Sequence, residues 1–171
     1  MEKIITKKII AMKNISLIII VMVLMFTSCS KNLPVVDGTV AQKMANEWWV
    51  RLYDGGTAVT DFGHIATYNT TDNNNTQIWV DDQGELWDFK VKANADLNNL
   101  TFNASQAVSV IDNYNIKVTI TDGKIIENVG KSKTGVTTDS IYMKVQFEDD
   151  PGTTYEIKGH ARTRFAEDDY H

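Results

Sequence analysis

The chain has 171 residues, 43% of them hydrophobic and 23% charged, which is enough for one globular domain and short for two. Its net charge of -5 argues against a nucleic-acid partner, which would need clustered Lys and Arg to neutralise phosphates. One cysteine excludes an internal disulfide framework and any multi-cysteine zinc site, and three histidines leave little for metal ligation.

The first 28 residues differ from the rest. Lys3, Lys7, Lys8 and Lys13 stand against Glu2 alone, and residues 15–26 (ISLIIIVMVLMF) are apolar except for Ser16. A bilayer-spanning helix needs about 20 apolar residues, so this run is short. Basic head, short apolar middle and small residues at the end predict a secretory leader over 1–28, with Met12 an alternative start. Phe26-Thr27-Ser28-Cys29 resembles a bacterial lipobox, which implies cleavage before Cys29 and lipid modification of its thiol. An uncleaved anchor helix is the alternative. Removing four of 17 basic and one of 22 acidic residues takes the net charge from -5 to -8. Attachment to a membrane would then come from the acyl chains on Cys29, with residues 29–37 as tether, and not from charge.

Residues 39–46 (TVAQKMAN) predict a short helix of about two turns. From residue 47 the pattern alternates. Trp48, Val50 and Leu52 share one face of 47–54, and Trp49, Arg51 and Tyr53 the other. Short β-rich runs follow at 63–69 and 77–81. Residues 86–93 (LWDFKVKA) predict a strand with Trp87, Phe89 and Val91 inward. Residues 101–104 predict another, then 115–121 with Ile116, Val118 and Ile120 inward, and 124–129. Residues 140–148 place Ile141, Met143, Val145 and Phe147 inward, and 153–164 place Tyr155 and Ile157 inward.

The connections read as hairpins. Asp122-Gly123 fits a two-residue loop, Asp149-Asp150-Pro151-Gly152 a type II turn, and Asp82-Gln83-Gly84 a third turn. Eight or nine strands joined by short turns, with no crossover helix, predict an all-β fold over 38–171. It is an antiparallel up-and-down barrel of about eight strands, with a two-sheet sandwich as the alternative.

Little here announces chemistry. No Gly-x-Ser-x-Gly elbow is present, and no catalytic residue is assigned. His64 and His160 lie on strands without a spacing that marks a base. The acidic clusters at 81–82, 148–150 and 167–169 lack an alternating calcium loop and read as solvated turn acids, so neither metal nor cofactor is expected. Trp79 and Phe102 add to aromatics spread over most strands. A barrel of this size is either filled by its side chains or leaves room for one small apolar ligand. In the second case Trp48, Trp87, Phe89, Val91, Ile116, Val118, Met143, Val145, Phe147, Tyr155 and Ile157 would line the site.

Several runs carry a family resemblance: Glu47-Trp48-Trp49-Val50, Ile78-Trp79-Val80-Asp81-Asp82, Leu86-Trp87-Asp88-Phe89, Tyr114-Asn115-Ile116-Lys117-Val118, Thr138-Asp139-Ser140-Ile141-Tyr142 and Asp149-Asp150-Pro151-Gly152-Thr153-Thr154-Tyr155 with Gly159-His160-Ala161-Arg162-Thr163. From Trp48 onward the chain resembles a family of small Bacteroides-type lipoproteins called lipid-binding putative hydrolases. The resemblance implies a calycin or lipocalin-like barrel, a lipid or other hydrophobic ligand, and a hydrolase activity for which it supplies no residues. It also implies an arginine from the last strand, Arg162 or Arg164, covering Trp48. The expected setting is the bacterial cell envelope, as an outer-membrane lipoprotein. Ser30-Lys31-Asn32 after the cysteine lacks an acidic run, which favours the periplasmic face over the cell surface. Three functions stay open: a binding module, a hydrolase of lipid or glycan esters, and a structural subunit of an envelope complex.

Overall fold

The computed structural model describes Gly38–His171; the expected leader, Cys29 and the tether lie outside the described residues. The strands in chain order are β1 (Asn46–Asp54), β2 (Thr57–Ala58), β3 (Gly63–Asn69), β4 (Gln77–Asp81), β5 (Lys90–Asp96), β6 (Thr101–Val108), β7 (Lys117–Lys131), β8 (Thr137–Phe147) and β9 (Tyr155–Ala161). β2 is a two-residue appendage to the end of β1. The other eight form one antiparallel sheet in chain order. β9 returns to β1 with a register running from Trp48↔Ala161 to Tyr53↔Glu156, which closes the sheet into a barrel and leaves no sandwich edge.

Period-2 alternation explains why these segments close around one core. Val50, Leu52, Ile65, Ile78, Val80, Val91, Val118, Ile120, Ile141, Met143, Val145 and Ile157 are all fully or almost fully buried and form one contiguous cluster. Up-and-down order gives the barrel two different ends. The near end carries both termini of the domain and the connections at 70–76, 97–100 and 132–136. The far end carries 55–62, 82–89, 109–116 and 148–154.

Four local expectations are corrected. The helix expected at 39–46 is one 3₁₀ turn, Gln42–Met44. β1 already pairs with β3 at Asn46↔Thr67, so too few residues remain for a second turn. The turn seats Ala41 and Met44, both fully buried, under the near end. Residues 86–89 are not strand: β5 starts at Lys90, and Asp88 has a φ of 61°, which breaks extended pairing. Asp122-Gly123 is no hairpin. It is a bulge inside the 15-residue β7, between the pairs Thr121↔Lys144 and Lys124↔Tyr142. Asp122 takes the left-handed conformation at φ 54°, and a Cβ on Gly123 would stand 2.4 Å from the Phe102 carbonyl oxygen, so the close approach to β6 demands glycine. Finally, Trp49, expected outward, is only 4% exposed, because the C-terminal tail covers the outer face of the barrel there.

Candidate functional site

The far end is closed by side chains from loops and strand ends. Its organiser is Asp82, which is fully buried. Its carboxylate accepts backbone N–H bonds from Gly84 (2.8 Å), Trp87 (2.6 Å), Asp88 (2.7 Å) and Phe89 (3.1 Å), folding residues 82–89 around one side chain. Burial pushes this carboxyl above the usual range, and the four amides pull against that rise by favouring the anion.

The loop so formed carries Trp87 over the barrel end. The indole lies flat on Phe147, centroids 4.4 Å apart and planes 3° from parallel, and Tyr155 stands 5.2 Å away. Phe89, below, meets Phe147 at 5.5 Å. Phe147 and Phe89 are core residues, whereas Trp87, Ile116 and Tyr155 are half-buried and pack on the core from above. The Trp87 indole N–H donates to Asp149 (3.2 Å), whose other oxygen accepts the Tyr114 hydroxyl. Tyr155 donates its hydroxyl to Asp150 at 2.7 Å. That bond, burial and the charge of Asp54 push the Tyr155 hydroxyl up to about 12. Burial would raise the Asp149 carboxyl, but the Tyr114 and Trp87 bonds hold it below the usual range. A cleft of about 300 Å³ opens beside Phe147, lined also by Lys117, Glu148 and Pro151.

The residues expected to line a ligand site divide between these layers. Trp48, Phe89, Val91, Val118, Met143, Val145, Phe147 and Ile157 lie within one core at 2% exposure or less, and Trp87, Ile116 and Tyr155 cap it. Trp48 belongs to the near end. Its indole N–H donates to Thr67 Oγ1 at 2.8 Å, and the Thr67 hydroxyl donates to the Met44 carbonyl. The arginine expected over Trp48 does something else. Arg162 Nη1 meets Glu47 at 3.0 Å, and its Nε and Nη2 reach both oxygens of Asp169 at 2.8 and 2.7 Å. Asp169 Oδ1 also accepts the indole N–H of Trp49, at 3.2 Å, so the arginine is coupled to Trp49. Arg164 lies beyond β9, at a φ of 66°.

The two histidines sit outside the barrel under this tail. His64 stacks on Trp49 at 3.6 Å, its Nδ1 is 3.1 Å from Glu85 Oε1, and its Nε2 is buried without a partner. His160 Nε2 meets the Tyr170 hydroxyl at 3.3 Å, and Tyr170 stacks on Phe62. Ser140 is the register partner of His160, yet its hydroxyl donates to the Gly159 carbonyl at 2.9 Å. Among the described residues, neither histidine bonds a serine or threonine hydroxyl. The turn acids also differ from expectation: Asp82 and Asp168 are buried, and Asp168 accepts from the Thr134 amide and the Thr163 hydroxyl. The signal available for Asp82 was its place two residues before a glycine, the spacing of a side chain that caps its own turn.

One end of the barrel is thus closed by the 3₁₀ turn and the other is covered by a loop-borne indole. The profile of a family described as lipid-binding putative hydrolase matches residues 34–166. The chain belongs to that family. The match spans all eight barrel strands together with the Asp82 loop and the Asp149-Asp150 turn. No curated protein matches the chain.

Proposed function

We propose that this protein is a lipid-anchored envelope lipoprotein that takes the chain of a hydrophobic molecule or lipid at the far end of its barrel. One observation carries the reading: Trp87, a large apolar side chain, covers core residue Phe147 from a loop and not from a strand. Residues 82–89 lie between β4 and β5, so swinging the Trp87 indole aside gives up its bond to Asp149 but no strand pairing, and it uncovers Phe147 and Tyr155. An alkyl chain laid in the vacated space regains the burial the indole gave up. The family description supports a lipid ligand. The lipobox-like Phe26-Thr27-Ser28-Cys29 supports anchoring through acylated Cys29, and Ser30-Lys31-Asn32, with no acidic run, favours the periplasmic face.

The test is a series of neutral n-alkyl glycerol ethers of increasing length. Each methylene buried contributes about 0.8 kcal/mol, so affinity should rise about fourfold per added carbon until the space is filled. Trp87→Ala should alter this series, while a variant on the outer face, Trp79→Ala, should not. Affinity independent of chain length in the intact protein would defeat the reading.

A further inference from the structure

We propose that the far end selects amphiphiles with an ammonium head group, and that Asp149 and Asp150, set among Trp87, Tyr114 and Tyr155, are the residues that select it. This rests on the reading of Trp87 as the cover of the binding end. Trp87 and Tyr155 stand 5.2 Å apart, and both rest against Phe147, at 4.4 and 6.1 Å. The polar groups between them are acceptors. Asp149 takes the Trp87 indole N–H and the Tyr114 hydroxyl, and Asp150 takes the Tyr155 hydroxyl.

All three donors are neutral, so each carboxylate keeps its full charge. Asp54 adds negative potential at Tyr155, and Asp88 adds it at Tyr114. Among the described residues none of these four carboxylates is in an ion pair. Two cations on the neighbouring strands are already engaged, Lys117 with Glu148 at 3.2 Å and Arg51 with Asp61 at 3.3 Å. An ammonium entering here meets ring faces and uncompensated carboxylates together, the combination that attracts organic cations. A carboxylate or phosphate head meets repulsion, and the Tyr114 and Tyr155 hydroxyls that would receive it are spent on aspartates. A neutral head is tolerated without preference.

The experiment titrates the full chain calorimetrically, below micellar concentrations, with three ten-carbon probes: decyltrimethylammonium, decanoate and decyl glycerol ether. The ammonium should bind at least about tenfold tighter than decanoate, the scale of one partly desolvated cation–π contact, with the ether between them. Asp150→Asn with Asp54→Asn removes two of the charges, and the amide oxygen at position 150 can still accept the Tyr155 hydroxyl. The pair should bring ammonium and decanoate within about twofold and leave the ether unchanged, as expected when charge alone made the difference. Should that pair fail to fold, Asp54→Asn by itself removes an exposed charge that makes no side-chain hydrogen bond among the described residues, and it should narrow the ratio in the same direction. Decanoate binding as tightly as the ammonium overturns the proposal. So does an ammonium preference that survives every charge removal, which would mark general attraction to an acidic protein. If none of the three probes binds, the covered-mouth reading itself fails. Ether binding without head-group preference leaves that reading standing and removes only this one.

Discussion

Gly159 lies against Trp49 so closely that a Cβ built on it would stand 1.9 Å from the Trp49 carbonyl oxygen. The contact is at the seam where β9 closes on β1, beside the register pair Val50↔Gly159. A methyl group there meets backbone on the partner strand, and no rotamer relieves it. Gly159→Ala should therefore destabilise the domain by about 3 kcal/mol or more, the upper range for overpacking, measured by urea unfolding. A loss below about 0.5 kcal/mol would mean that the seam adjusts freely.

Removing Asp82 should loosen one loop selectively. Asp82→Ala leaves four amides without their acceptor and should cost about 3 kcal/mol, the scale of unsatisfied buried donors. Hydrogen exchange should show residues 84–89 losing protection while β7 and β8 retain theirs. Uniform loss across the barrel would contradict a local role.

Phe89 and Trp87 should respond differently to truncation. Phe89 is fully buried, and Phe89→Ala should cost about 3–5 kcal/mol in unfolding free energy. Trp87 is half-buried on a loop, so Trp87→Ala should cost visibly less stability while changing alkyl-probe affinity. Equal stability losses with no change in binding would make Trp87 an ordinary core residue.

Acid should release the C-terminal tail. The Arg162 guanidinium, with help from the Trp49 indole, holds Asp169 at about 2, against 3.8 for a free aspartate. The depressed value means that the unfolded chain binds the proton first, so the stabilisation is complete above about pH 5 and is lost as pH falls towards 2. Asp168 is also held low, against its own burial, by bonds from Thr134 and Thr163, and adds in the same direction. Stability should fall between about pH 5 and 2, with the Trp49 emission shifting red, and Asp169→Asn should flatten that slope. A slope unchanged in the variant would place the acid sensitivity elsewhere.

Anchoring has its own test. Cys29→Ser should release the protein from the membrane fraction, because charge gives the mature chain no hold on anionic lipid. Unchanged membrane association after a high-salt wash would contradict the lipoprotein reading.

The strands were legible because burial on one face imposes alternation, and 63–69 and 77–81 match β3 and β4 residue for residue. Alternation failed at Leu86-Trp87-Asp88-Phe89, which reads as strand but is bent around the Asp82 carboxylate of the same loop, five to seven residues earlier. Residue type does not reveal which atoms a side chain will bond. Trp49 misled for the converse reason. Its outward position was correct, but its burial comes from Asp169 and Tyr170, some 120 residues away. The core half of the expected ligand site was readable as apolar pattern. Its polar rim, Asp149 and Tyr114 above all, was not, because it is assembled from three separate loops.

The bulge at Asp122 and Gly123 has a consequence for the whole domain. In a meander each strand reverses the last, so closure by an antiparallel seam requires even parity. Had this dipeptide turned the chain, a ninth full-length strand would have arrived parallel to β1, and the chain would have ended beside Trp87. Absorbed within β7, it keeps the tally even and sends both termini out at the Met44 end. The described chain therefore begins and ends at one pole of the barrel, opposite the pole that carries Trp87.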